Sequence, residues 1–195
     1  MFGIGKSRKQ ITILLTVFLI IQLIVIGLLC SSHPYYVGET IIMIVAFIII
    51  SILEIKLKLY LGGYLSGILM ITIVSHNFLG RYVGLYNTSS IYDRIQHVFG
   101  IYSFALFTYI LVNKITGKPD VSRFREFVFI ISLGMSLGAA VEIAEFLADT
   151  FFHPPVRNQP GLLDTDLDLI SNTAGAFIAA FHWFINLKFR RNRHG

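Results

Sequence analysis

Gly161-Leu-Leu-Asp164-Thr-Asp166-Leu-Asp168-Leu-Ile-Ser-Asn172-Thr-Ala-Gly175 puts three acids and an amide at the threshold of an apolar run that continues to Leu187. Read as a helix, Asp164, Asp168 and Asn172 recur at i, i+4 and i+8 and share one face. A helix that crosses a bilayer carries such a stripe where it faces protein or water rather than lipid. The stretch therefore predicts a membrane helix that contributes to an internal polar site.

The rest of the chain agrees with a membrane setting. Hydrophobic residues make up 55% of the 195 and charged residues 14%, against about 25% charged in soluble domains. The mean hydropathy is +0.71. The single cysteine, Cys30, excludes an intrachain disulfide and a cysteine-based metal site. The expected fold is all-α: one integral membrane domain over 1–195, a bundle of six transmembrane helices at about 11–30, 40–53, 59–74, 95–112, 127–147 and 167–187. The run Ile11–Cys30 has about the 20 residues that a hydrocarbon core requires. It follows Lys6, Arg8 and Lys9, and we read it as an uncleaved first span rather than a signal peptide. Gly63-x-x-x-Gly67 and Gly134-x-x-x-Gly138 are patterns that let helix backbones approach closely. Residues 75–91 and 149–163 read as polar or proline-bearing loops.

With six spans, every Lys and Arg except Arg81, Arg94 and Arg157 falls on the side of the termini. The positive-inside rule makes that side cytoplasmic. The net charge of +5 is thus explained by topology and calls for no nucleic-acid partner. Alternating helix directions also bring Asp93 and His97, Glu142 and Glu145, and Asp164 through Asn172 to one level, beneath the outer headgroups. Asp93 and His97 lie one turn apart, as do Asp164 and Asp168, while Glu142 and Glu145 stand at i, i+3.

The candidate catalytic set is Asp93, His97, Glu142, Glu145, Asp164, Asp168 and Asn172, and the candidate metal ligands are His97, Glu142, Asp164 and Asp168. One imidazole among carboxylates suits a divalent cation, with zinc or iron favoured by the histidine and magnesium, manganese or calcium by the acids. Without metal, the same groups offer a general acid and base or a proton relay. The structural reading stands beside these. Asp93 and Asp164 can cap helix starts, and Arg94 or Arg157 can neutralise one acid. Asp149 and Asp166 fall off the stripes and read as loop or cap residues. Glu39 and Glu54 read as interfacial ends, and Trp183 as an interfacial anchor. His33, His76, His153, His182 and His194 lack acidic company, with His153 alone near enough to join.

Tyr92-Asp93-Arg94-x-x-His97, Glu142-x-x-Glu145 and Asp164-Thr165-x-x-Asp168 resemble the pattern of the YjdF-like bacterial inner-membrane family. The order Asp-basic-x-x-His, Glu-x-x-polar, Asp-x-x-x-Asn-x-x-Gly, here ending Asp168-Leu-Ile-Ser-Asn172-Thr-Ala-Gly175, is more distantly similar to VanZ-like proteins. The likeness covers the last three spans. Phe146 stands where the YjdF-like pattern usually has Trp, and Glu145 where VanZ-like proteins carry Gln. The resemblance implies a multi-pass protein of a bacterial cell membrane and supplies no established chemistry. Three functions stay open. The first is a polar or metal site that hydrolyses or transfers a lipid or lipid-linked envelope component, with membrane lipids as partners. The second is a small transporter or lipid-translocating protein using the acids as a coupling relay. The third is an envelope protein whose cluster only holds helices together. The oligomeric state is open.

Overall fold

A computed structural model describes residues 8–59, 61–117, 122–154 and 156–191, with side-chain environments through residue 185. Its helices are α1 (Arg8–Ser32), α2 (Val37–Leu57), α3 (Gly62–Ser75), α4 (Leu85–Thr88), α5 (Ser90–Thr116), α6 (Arg123–Phe152) and α7 (Leu162–Arg191), and no strand occurs among the described residues. This follows from the apolar sequence: in lipid a backbone must satisfy its own polar groups, and a helix does so within one segment. A 3-10 turn, Pro34–Tyr36, leads into α2, and a π-helical turn, His76–Tyr82, continues α3. The Ser122 side chain caps α6 by accepting from the backbone N–H of Arg125 at 3.3 Å. Lys58 and His153 close α2 and α6 in the left-handed region, at φ 50° and 46°.

Five segments are long and apolar enough to cross a bilayer: Arg8–Ser32, Pro34–Leu57, Gly62–Tyr82, Ser90–Thr116 and Arg123–Phe152. The chain is therefore an all-helical, multi-pass membrane protein. At 30 residues α7 has the length for a crossing, but its polar first half makes it less apolar than the other five. The helices outrun the expected spans, α5 beginning at Ser90 and α6 ending at Phe152, because hydropathy marks the hydrocarbon thickness and not the helix ends. For the same reason the expected loop at 75–91 is mostly helical turn.

The described residues divide into two compact units that meet within α5, one ending at Asp93 and the other starting at Arg94. In the first, Phe18 of α1 packs on Phe47 of α2 with ring centroids 4.2 Å apart. Val25, Leu29 and Tyr36 form a core with Phe78 and Tyr82 of the π-turn. Gln22, fully buried in α1, accepts from Asn77 Nδ2 at 2.9 Å. Gly63 and Gly67 were expected to admit a neighbouring helix, yet a Cβ added to either would meet nothing within 4 Å among the described residues.

Two expectations are corrected in this unit. Glu39 is not a bare interfacial end, and His76 does not lack acidic company. Glu39 Oε1 accepts from His76 Nε2 and from Arg81 Nη2, both at 2.8 Å, and His76 Nδ1 bonds the Tyr86 hydroxyl at 2.6 Å. The Arg81 guanidinium lies over the Tyr36 and Tyr86 rings, 4.8 Å from each centroid. Burial pushes the Tyr86 phenol well above its ordinary value, against the pull of Arg81, so it remains a neutral hydroxyl. Glu54 is likewise buried, accepting from Ser66 Oγ at 3.3 Å. These partners are far apart in sequence and meet only because the π-turn and α4 fold back. Gly80 makes that return possible, since a Cβ there would sit 2.2 Å from Tyr86 Cε2. Gly80→Val should therefore cost about 1–3 kcal/mol, as overpacking does, visible as a fall of several degrees in thermal midpoint.

In the second unit, α6 and α7 pack along their slim faces. A Cβ on Gly134 would lie 2.4 Å from Ala176 Cβ, and one on Gly138 2.7 Å from Asn172 Cβ. These pairings run in opposite senses along the two helices, which are therefore antiparallel. Gly175 of α7 meets the backbone of α5, where its Cβ would fall 2.4 Å from the Val98 carbonyl oxygen. Further along, the Tyr102 hydroxyl bonds His182 Nδ1 with the rings stacked, and the Tyr109 ring packs edge-on against Trp183 at 4.9 Å. Rising numbers on α5 thus match rising numbers on α7, so these two helices are parallel. That topology sets the start of α5, the end of α6 and the start of α7 at one level.

Candidate metal centre

His97 stands on the second turn of α5, Glu142 and Glu145 near the end of α6, and Asp168 and Asn172 on the second and third turns of α7. The inner residues are taken almost completely from water: Asp168 and Asn172 are 1% exposed, Glu142 5% and His97 9%. Glu145 is half-buried. Such burial is costly for ionisable groups unless they compensate one another.

The hydrogen bonds fix the chemistry of the imidazole. Asn172 Nδ2 donates to Glu142 Oε1 at 3.2 Å, and an ionised carboxylate can only accept. The amide must therefore turn its Oδ1 toward His97 Nδ1, 3.0 Å away, so Nδ1 carries the proton. Nε2 faces Asp168 Oδ1 at 3.8 Å and Glu145 Oε1 at 4.0 Å. Those separations exceed a hydrogen bond but approach the spacing of atoms sharing one cation. Ligand bonds of about 2.3–2.6 Å, as for calcium, place neighbouring ligands roughly 3.3–4 Å apart, and shorter zinc bonds require a small inward movement. One atom each from His97, Glu142 and Glu145 lies within 4.8 Å of the others. A ligand histidine commonly donates its other ring N–H to an outer partner, which holds the tautomer, and Asn172 supplies that partner.

A second layer holds Glu142 in turn. Gln159 Nε2 donates to its backbone carbonyl at 2.8 Å and to Oε2 at 3.1 Å. Asp149 fixes that loop by accepting from Asn158 N and Nδ2 and from Gln159 N, at 2.8–2.9 Å. Asp149 itself lies in the last turn of α6 rather than in the loop that was expected to hold it, and it positions the site through Gln159. Sequence reasoning missed Asn158 and Gln159, whose only signal was polarity within a proline-bearing loop.

Among the remaining candidates, Asp93 stands one turn before His97 on α5, at the last position of the first unit. Asp164 lies in the first turn of α7, half-buried, with its N–H on the Gly161 carbonyl. In the second unit the set within ligand reach of His97 is Glu142 and Glu145, and Asp168 Oδ1 lies 3.8 Å from Nε2. Asp166 is exposed. His153, expected to be near enough to join, is exposed and bonds the Asp149 carbonyl at 3.2 Å. Neither Arg94 nor Arg157 forms an ion pair with these acids among the described residues, so that route to a purely structural cluster has no support.

Helices of this kind around a buried histidine–carboxylate centre define a polytopic membrane protein with an internal polar site. The chain belongs to the family described as "Predicted membrane protein (DUF2238)", which matches residues 11–188. That agrees with the YjdF-like resemblance, while the VanZ-like one finds no support among the proteins the chain matches. An uncharacterized protein of Thermotoga maritima is 33% identical over 106 residues, 54% of each chain, so the match spans about half the length of that relative. No solved structure matches.

Proposed function

We propose that the second unit binds a divalent cation through His97 Nε2, Asp168 and Glu145, with Glu142 beside them, in a six-span protein whose termini are cytoplasmic. The centre then sits beneath the outer headgroups of a bacterial cell membrane. There it hydrolyses or transfers a lipid or lipid-linked envelope component. The supporting observation is the Asn172 bridge, which holds Nδ1 as a donor while Nε2 faces two carboxylates. A cation in this place supplies Lewis-acid polarisation and a water acidified toward neutrality.

Metal analysis of the purified protein tests this directly. Wild type should hold about one ion per chain after loading with zinc, manganese, magnesium or calcium, and His97→Ala and Asp168→Ala should each abolish it. No stoichiometric ion under any loading, or full retention by both variants, overturns the assignment.

One observation favours transport as the second reading. Tyr102–His182 and Tyr109–Glu126 continue a line of polar contacts along α5 beyond His97. Gradient-dependent proton flux in proteoliposomes, lost on His182→Phe, would favour that reading over hydrolysis.

A further inference from the structure

The connection between α6 and α7, expected to be a polar loop, is bounded by open apolar side chains. Phe151 and Phe152 on the last turn of α6 are 72% and 73% exposed, and Leu162 and Leu163 on the first turn of α7 are 77% and 73% exposed. The two helices are antiparallel neighbours, so these four side chains gather at one end of the pair. Val156, between them in sequence, is exposed as well. Hydrogen bonds hold the connection in place rather than folded over its apolar residues. Asp149 accepts from the backbone N–H groups of Asn158 and Gln159 at 2.9 Å, and Gln159 Nε2 donates to Glu142 Oε2 at 3.1 Å.

An exposed apolar cluster of this kind marks a contact with a membrane or with another protein. Two observations select the membrane. The first is continuity with the outward surface of the helices, where Ile143 and Phe146 of α6 and Ile170 of α7 are exposed too. Segment Arg123–Phe152 is long and apolar enough to cross a bilayer. Its 30 residues make about 45 Å of helix, against a hydrocarbon core of about 30 Å. The last turn of α6 therefore reaches a headgroup layer with its apolar surface unbroken. The second observation is charge. Residues 150–163 contain no Asp, Glu or Lys, and their one Arg, Arg157, is exposed. Large apolar side chains around a cation match a lipid surface, whose acyl chains take the former and whose phosphates take the latter.

We propose that the α6–α7 connection is seated in the membrane interface at which α6 ends. Phe151, Phe152, Leu162 and Leu163 lie among the acyl chains there, and Arg157 lies on lipid phosphates. The segment is then part of the bilayer boundary and not an aqueous loop. Asp168 follows Leu163 by five residues, so it stands about 8 Å further along α7, beneath that boundary. The leaflet also bears on the site indirectly, because the same connection carries the Gln159 that holds Glu142. The seating depends on no cation.

Spin labels measure the depth. Cys30, the single cysteine and exposed, is removed by Cys30→Ser, and a nitroxide is attached at Phe152→Cys or, in a second variant, at Leu163→Cys. The full-length protein is placed at one copy per nanodisc of phosphatidylcholine and phosphatidylglycerol. Collisions with oxygen, which concentrates in lipid, are compared with those of a nickel chelate, which stays in water. Both labels should lie about 5–10 Å beneath the phosphates, with oxygen dominant as at a Met135→Cys control, exposed in the middle of α6. Arg157→Glu sets a carboxylate against the lipid phosphates and should raise nickel collisions at the Phe152→Cys label at least twofold. Labels that meet the nickel chelate more than oxygen put the connection in water and overturn the proposal. Shielding from both reagents means that protein covers the patch, and overturns it equally. Unchanged collisions in Arg157→Glu overturn the phosphate contact. The two labels stand on different helices, so a variant that fails to fold leaves the other to decide.

Discussion

Gly175→Ala should destabilise the second unit by roughly 3 kcal/mol or more and cost the cation centre its geometry. The added methyl would lie 2.4 Å from the Val98 carbonyl oxygen and 3.2 Å from the Tyr102 nitrogen. Both atoms belong to the backbone of α5, so no rotamer change relieves the contact. Alanine favours a helix over glycine by about 1 kcal/mol, but overpacking of this severity lies at or above the usual range of about 1–3 kcal/mol. The helices can accommodate the methyl only by separating, which stretches the His97–Asn172 bond one turn away. Thermal unfolding by circular dichroism should show a midpoint lowered by several degrees, together with reduced metal stoichiometry. Gly100→Ala is the matched control: it lies on α5, and a Cβ there has nothing within 4 Å. Equal midpoints for the two variants would mean that α5 and α7 do not meet backbone to backbone at Gly175.

That contact shows how much of the site was legible beforehand. The spacing of Asp168, Asn172 and Gly175 along α7 puts all three near one face, and the sequence reading used the two polar positions as a polar stripe. The glycine's part, admitting the α5 backbone so that the amide can reach His97, depends on a helix some 75 residues earlier and leaves no local trace. The common level of His97, Glu142 and Asp168 could be argued because the helices that carry them, α5, α6 and α7, alternate in direction. Which carboxylates face the imidazole could not, because it depends on helix rotation, and a step of one residue turns a side chain by about 100°. The Glu39–His76–Arg81 cluster was hidden differently. Its members sit where an apolar run gives way to what reads as loop, and only the π-turn brings His76 and Arg81 onto one carboxylate.

Asn172→Leu should have the larger chemical effect, because the side chain is nearly isosteric while both of its polar contacts vanish. His97 Nδ1–H would lose its acceptor and Glu142 Oε1 a donor, in a place where Asn172 itself is only 1% exposed. Leaving a buried polar group unsatisfied costs about 1–3 kcal/mol, and more when it is charged, so a loss of roughly 3–5 kcal/mol is expected. The more telling consequence concerns the cation. With Nδ1 no longer fixed as the donor, the tautomer that offers Nε2 is not enforced, and loss of such an outer partner typically lowers metal affinity 10–100-fold. A ligand that binds only the folded protein raises its apparent stability. Wild type should therefore unfold at a higher temperature with the bound cation than after chelation, and Asn172→Leu should lose most of that increment as well as its baseline. A variant destabilised equally in chelator and in cation would show that Asn172 serves helix packing alone. The increment, rather than the absolute midpoint, separates an amide that orients a ligand from one that only joins three helices.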